Sequence, residues 1–210
     1  MKNNKSVILV GCSGHSLVVA EALFLSGYKL IGYLNKNKDE SNRLNTKYFG
    51  YEEDNLVLQK MKGTLLFPAI GDNIIREKVI NFFEEKGFEF VTVVHPKSNV
   101  SQLASIGRAS LICQGASINP YALIGKGVII NTGAIIEHEC IIGDYAHIAP
   151  GAVLAGNVSI GKSSFIGANA VVKQGVTIGM NVTLGAGTVV LRDIKSSGTF
   201  VGNPAKSIRR

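Results

Sequence analysis

The sequence predicts an α/β domain over residues 1–96 followed by a parallel β-helix over residues 97–210. Three observations predict it. An aliphatic residue returns at every sixth position from Val100, Ile106 and Ile112 through to Ile178, Leu184 and Val190, without a failure. A second register runs two residues ahead of it, from Ser98, Ala104 and Ser110 to Val182 and Thr188, and is always small or β-branched. The first ninety-six residues have no such repeat and instead alternate short apolar runs with segments of helical spacing. A period of six fits neither the 3.6 of a helix nor one simple strand alternation. It suits a short strand with two inward side chains followed by a corner, because residues i−2 and i of a strand share a face. Three hexads to a coil gives roughly five coils and a prism on the order of 24 Å tall at the usual strand spacing. One coil cannot bury its own inner face, so the stack is what stabilises each member.

The elements follow in order. Val7–Val10 reads as a buried strand that runs into Gly11-Cys-Ser-Gly-His15-Ser16, and Leu17–Ser26 as a helix stopped by Gly27. Lys29–Leu34 is the next strand. The polar stretch Asn35–Asn55 is expected to be a surface loop, with a helix near Leu56–Lys62. Leu65–Ile70 is a third strand closed by Gly71-Asp72-Asn73, Ile74–Lys86 a helix ended by Gly87, and Phe88–Val94 a fourth strand. His95-Pro96 marks the exit, since a residue before proline leaves the helical region. Gly107, Gly125, Gly143, Gly161, Gly167, Gly179 and Gly185 directly follow a register residue, where a bend is expected. After Val190 the period lapses, and Phe200–Lys206 is expected to be a turned segment over the last coil rather than a strand.

Composition narrows the function. The chain of 210 residues carries a net charge of +7, but its basic residues are dispersed and no zinc-finger, helix-turn-helix or aromatic RNA-binding pattern accompanies them. Nucleic acid is therefore not expected as a partner. The same field suits small polyanions such as coenzyme A or a nucleotide sugar, and equally an ordinary solvated surface. The polar start Met1–Ser6 and the short run Val7–Val10 are expected to be neither a signal peptide nor a membrane span. Cys12, Cys113 and Cys140 are odd in number, scattered and without metal-ligand spacing, which argues for a reducing cytoplasm.

Two places can hold chemistry. The first glycine loop lies at a strand's carboxyl end and a helix's amino end, where backbone N–H groups face an anion. It lacks the glycines of a full dinucleotide fingerprint, having Ser13 and Ser16, so it reads equally as a tight turn with His15 capping the helix. The second is Asn131–His147. His138 and Glu139 fall two and three residues after Ile136, on a corner, so neither need enter the core. An imidazole can take the proton of an attacking amine or hydroxyl, and a carboxylate on its other nitrogen fixes its tautomer. The corner lets Glu139 turn back onto His138. His147 lies half a coil away, so a site that uses both histidines has to form between subunits, most simply in a ring of three. Exposed corner histidines of no function fit the spacing as well.

The Gly11-x-Ser-Gly-His15 start, Ala69-Ile-Gly-Asp-Asn73, Asn131-Thr132, Ile136-Glu-His-Glu-Cys140, the hexad array and the Val201-Gly-Asn-Pro-Ala-Lys206 tail resemble the bacterial PglD-type nucleotide-sugar N-acetyltransferases and the related NeuD-type sialic acid O-acetyltransferases. The resemblance covers nearly the whole chain. It implies a homotrimer of left-handed β-helices, each with an amino-terminal Rossmann-like domain for the nucleotide sugar and with acetyl-CoA between neighbouring prisms. His138 is then the general base and Glu139 the carboxylate that raises its basicity. His147 meets the thioester carbonyl, Asn131 lines the same site, and Ala168 and Ala186 offer backbone contacts to the pantetheine arm. Ser13, Gly14, His15 and Gly71 contact the nucleotide sugar. Asn35 and Lys36 also fall in that site, where UDP-sugar members often carry two acidic residues, so the lysine points to a different sugar or base.

The implied reaction is direct acetylation of the 4-amino group of a nucleotide-linked 4-amino-4,6-dideoxy sugar, as in UDP-N-acetylbacillosamine synthesis, with acetyl-CoA as cosubstrate, no metal and no cysteine nucleophile. Acetylation of a sialic acid hydroxyl keeps the same fold and donor. A zinc hydratase on this scaffold needs three histidines, and the coils hold only His138 and His147. A non-catalytic solenoid scaffold would need no base and carboxylate on one corner.

Overall fold

The structure is a computed structural model that describes residues 5–41 and 43–208; most of the polar start, and Asn42 of the expected loop, lie outside them. The chain divides into two compact units, Met1–Pro96 and Lys97–Arg210.

The first unit contains β1 (Ser6–Val10), α1 (Gly14–Leu25), β2 (Lys29–Leu34), β3 (Lys47–Gly50), α2 (Asn55–Lys60), β4 (Leu65–Pro68) and α3 (Asn73–Glu85). Its sheet is parallel in the order β3-β2-β1-β4, the order of the first half of a doubly wound nucleotide-binding sheet. Val7, Ile8, Leu9 and Val10 are 0–1% exposed, because a central parallel strand is covered on both faces. Gly27 and Gly87 end α1 and α3 with φ of 83° and 79°, the left-handed turn that glycine adopts without strain.

Three expectations here need correction. Helix α1 starts at Gly14 rather than Leu17: Ser13 is extended, and the Ser16 hydroxyl donates to the Ser13 carbonyl at 2.5 Å, which closes the first turn around Gly14 and His15. The expected loop from Asn35 to Asn55 contains β3. Tyr48 of that strand packs on Tyr33 at 5.4 Å between ring centroids and its hydroxyl donates to the Asn35 carbonyl, while the Phe49 ring lies against Gly32, so two aromatics anchor the edge. The fourth strand expected over Phe88–Val94 shrinks to a bridge between Leu66 and Phe90 plus the pair Val93–Val94. Phe88 and Phe90 turn edge-on to Phe83 of α3, and this packing bends the segment out of the ladder.

The second unit is a left-handed parallel β-helix of hexapeptide repeats. Strands pair in parallel with those eighteen residues on, as in Ile124 with Ile142, Ile130 with Ile148 and Ile136 with Leu154, which gives three sheets and three edges. Every sixth-residue aliphatic from Ile112 to Val190 is at most 4% exposed, whereas Val100 and Ile106 on the first coil are partly covered. Two polar members of the small register, Ser110 and Ser164, are satisfied in place, whereas the buried Thr188 hydroxyl has no hydrogen-bond partner among the described residues. Ser110 donates to the Gly125 carbonyl at 2.8 Å and accepts from Val128 N–H at 2.9 Å, and Ser164 repeats the pattern with Gly179 and Val182.

The glycines after register residues serve a purpose other than bending. None of the seven has a left-handed φ, and a Cβ on Gly143 or Gly161 would run into the backbone of the next coil. From Ala109 to Gly187 the left-handed φ falls two residues later in each hexad, at Gly115, Gly133 and Gly151 but also at Tyr121, Glu139 and Asn157. The carboxyl-terminal expectation also changes. Gly198–Val201 is a strand parallel to Val182–Leu184, and Lys206–Ile208 pairs antiparallel with it, because Phe200 takes up the position opposite Leu184 although the spacing is no longer eighteen.

Candidate active site

The edge that follows the strand Ile135–Ile136 carries His138 and Glu139. Their side chains are 51% and 63% exposed, and His138 Nδ1 lies 3.0 Å from Glu139 Oε2. Glu139 reaches back because its backbone sits at φ 60°, the left-handed corner conformation, which turns its side chain out of strand alternation. An ionised carboxylate can only accept, so the bond places the imidazole proton on Nδ1 and leaves the Nε2 lone pair to take a proton. Beneath them Cys140 is fully buried, its thiol donates to the Ala155 carbonyl at 3.2 Å, and burial pushes its pKa up. A buried thiol of raised pKa is a poor nucleophile.

The preceding edge, after the strands Ile129–Ile130, Phe165–Ile166 and Val182–Leu184, carries Asn131, Ala168 and Ala186, and His147 stands on that same sheet. Asn131 and His147 are joined. The Asn131 side-chain oxygen Oδ1 accepts from Thr132 N–H at 2.8 Å, which turns the side-chain nitrogen Nδ2 toward His147 Nε2 at 3.1 Å. His147 Nε2 therefore accepts, and its proton lies on Nδ1. The ring is 8% exposed and packs edge-on to Phe165 at 5.0 Å. Ala168 is half-buried and its carbonyl accepts from Gly187 N–H, while Ala186 is exposed. One prism thus gathers Asn131, His147, Ala168 and Ala186 along one edge and His138 with Glu139 along the next.

In the first unit Ser13, Gly14 and His15 open α1, and Gly71 lies on the turn between β4 and α3. The structure ties His15 and Gly71 to a residue that the sequence reading missed. Arg76 is 1% exposed, and its guanidinium donates to the carbonyls of Ile70 and Gly71 at 3.1 and 3.0 Å and to Asn73 Oδ1 at 2.8 Å. Burial pushes its pKa down to about 10. Burial and then the Arg76 charge hold His15 at about 4, so this imidazole is neutral at physiological pH. The signal was present in the sequence: Asn73, Arg76, Ile80 and Phe83 are the buried face of α3 at helical spacing, and a cation on that face needs an explanation. Asn35 N–H donates to the Gly50 carbonyl, its side chain donates to Asn37, and Lys36 is exposed. Among the described residues no three metal-ligating side chains cluster, and no helix is long and apolar enough to cross a membrane.

Comparisons with known proteins agree with this architecture. Residues 6–83 match the PglD N-terminal domain, 121–156 the bacterial transferase hexapeptide (six repeats), and 157–192 the hexapeptide repeat of succinyl-transferase. No curated protein matches significantly. Among solved structures, the acetyltransferase domain of PglB from Neisseria gonorrhoeae FA1090 is 33% identical, with a TM-score of 0.90 over 98% of this chain and 100% of that one; the same domain has been solved with acetyl coenzyme A. PerB from Caulobacter crescentus, solved with CoA and GDP-perosamine, is 36% identical with a TM-score of 0.89, covering 97% of both chains. WeeI from Acinetobacter baumannii AYE, 24% identical over 98% of this chain and 100% of that one with a TM-score of 0.83, shares the fold. An α/β unit that matches the PglD model, a hexapeptide β-helix and end-to-end similarity to PglB and PerB together show that the chain belongs to the PglD-type family of hexapeptide-repeat acetyltransferases.

Proposed function

We propose that the chain transfers the acetyl group of acetyl-CoA to the 4-amino group of a nucleotide-linked 4-amino-4,6-dideoxy sugar, directly and with His138 as general base. The observation that carries this reading is the 3.0 Å bond between His138 Nδ1 and Glu139 on an outward edge of the β-helix. It leaves Nε2 unprotonated on a half-exposed edge without placing charge in the core. The two relatives above that exceed 30% identity, one of them solved with acetyl coenzyme A and the other with CoA and a GDP-linked amino sugar, support the donor and the acceptor class.

His138 Nε2 takes the amine's proton as the nitrogen bonds to the thioester carbonyl carbon. Glu139 stabilises the imidazolium that forms. When the carbon–sulfur bond breaks, His138 returns the proton to the departing thiolate, so the products are the N-acetylated sugar and free CoA. His147 and Asn131, joined at 3.1 Å, stand on the donor's side, where a hydrogen-bond donor would meet the negative charge that develops on the thioester oxygen, a contribution of about 3 kcal/mol in comparable sites. Ala168 and Ala186 line the donor's edge. Ser13, Gly14, His15 and Gly71, with Asn35 and Lys36, serve the nucleotide sugar, at strand ends and helix N-termini of the kind that hold phosphates.

Because the donor and base edges belong to different faces of one prism, we read the working form as a homotrimer in which one subunit's His138 meets its neighbour's donor edge. The outward residues of the sheet between these edges, Ile135, Val153, Val171 and Val189, form an apolar stripe suited to such a contact. The reaction belongs in the cytoplasm and in a bacillosamine-type branch of glycan synthesis. Thiol release from acetyl-CoA with UDP-, dTDP- and GDP-linked 4-amino sugars, alongside free and CMP-linked sialic acid, tests it. Turnover with an amino sugar and an amide product are expected; turnover only with sialic acid would reassign the chain to O-acetylation.

A further inference from the structure

The corner that carries His138 repeats every eighteen residues as Pro120, His138, Gly156 and Gln174. Gly156, one coil above the imidazole, is buried and has no left-handed φ, so its backbone would accept a side chain. What forbids one is His138. A Cβ at Gly156 would stand 2.5 Å from His138 Nε2, 2.6 Å from Cε1 and 3.2 Å from Cδ2, and these are its three nearest atoms. At Gly107, Gly143 and Gly161 the obstruction is instead the backbone of the adjoining coil. Those glycines serve the stack, whereas Gly156 serves one ring.

We infer that Gly156 is a positioning residue for the reaction assigned above to His138. Its bare Cα is the shelf on which the imidazole lies. The shelf keeps Nδ1 within reach of Glu139 Oε2 and keeps clear the space beside Nε2 into which the acceptor's amine must come. This inference rests on His138 being the base. A methyl group at Gly156 must either push the ring off Glu139 or occupy the approach to Nε2, and both outcomes impair proton removal more than substrate binding. Misplacement of a reacting group by about 1 Å costs on the order of a hundredfold in rate.

The test is Gly156→Ala beside His138→Ala and the double variant. For Gly156→Ala we expect kcat to fall about a hundredfold, with KM for acetyl-CoA and for the sugar within about twofold of the parent. Nitrogen-15 spectra of the imidazole should show His138 losing its Nδ1–H form. Any fall in melting temperature should vanish when the same substitution is made on top of His138→Ala, because the ring that the methyl group meets is gone. A Gly156→Ala enzyme with parental kcat and an unchanged imidazole signal, while His138→Ala is inactive, would overturn the inference and leave the base intact. A melting temperature lowered equally with and without the ring would show that the methyl group strains the coil, and would also overturn it. Full turnover by His138→Ala would instead remove the base on which the inference rests.

Discussion

Glu139→Gly should make the protein no less stable and far less active. Glu139 occupies the left-handed corner at φ 60°, where other hexads place Gly115, Gly133 or Gly151. A non-glycine residue there is strained by about 1–2 kcal/mol, which glycine removes. Glycine also gains unfolded-state entropy, worth about 0.4–1 kcal/mol against the fold. The ion pair it gives up is more than half exposed on both partners and is screened by solvent, so its loss subtracts only a few tenths of a kcal/mol. The balance is a gain of about 0.5 kcal/mol, a rise of about 1–2 °C in melting temperature for a chain of this size. Activity moves the other way. Without the carboxylate His138 loses the partner that fixes its tautomer and stabilises the imidazolium, and a charge-assisted hydrogen bond of this type is worth about 1.5–3 kcal/mol once substrates exclude water. That corresponds to a fall of about ten- to a hundredfold in kcat. Calorimetry and thiol release on the same preparation measure both. A loss of more than about 1 kcal/mol in stability, or a parental kcat, would refute the reasoning.

Two further outcomes follow from the surroundings of the site. Cys140→Ala should keep turnover within about twofold, since the thiol is buried, its pKa is raised and it bonds to the Ala155 carbonyl; a loss as deep as that of His138→Ala would contradict direct transfer. His15 makes stability depend on acid. Its folded pKa of about 4 lies below the ordinary 6.5, so the unfolded chain binds the proton more readily; full stability is present above about pH 6.5 and is lost as pH falls toward 4, by about 2 kcal/mol at pH 5. His15→Gln should flatten that part of a melting-temperature profile between pH 7 and 4, and an unchanged slope would show that the acid sensitivity lies elsewhere.

The β-helix was legible in the sequence because its two inward registers leave the core no freedom: a residue such as Ile136 must be aliphatic and Ala134 small, coil after coil. The pairing of His138 with Glu139 was legible for a related reason, since counting from Ile136 puts both on a corner where strand alternation lapses. What the sequence concealed depends on contacts between residues distant in the chain or on single backbone angles. Strand β3 is hidden in a polar stretch because what anchors it is distant in the chain: Tyr48 packs on Tyr33 and the Phe49 ring lies against Gly32. Arg76 looks like one more surface cation until α3 turns it inward onto Ile70 and Gly71. Gly156 resembles the other glycines in composition, and only the position of the imidazole distinguishes it.

The central claim is that His138 removes the acceptor's proton. It is tested most directly by thiol release from acetyl-CoA, with the best nucleotide-linked amino sugar, by the parent and His138→Ala in parallel. The account predicts a fall in kcat of at least about a hundredfold with KM for both substrates little changed. A variant that turns over at the parental rate would contradict it.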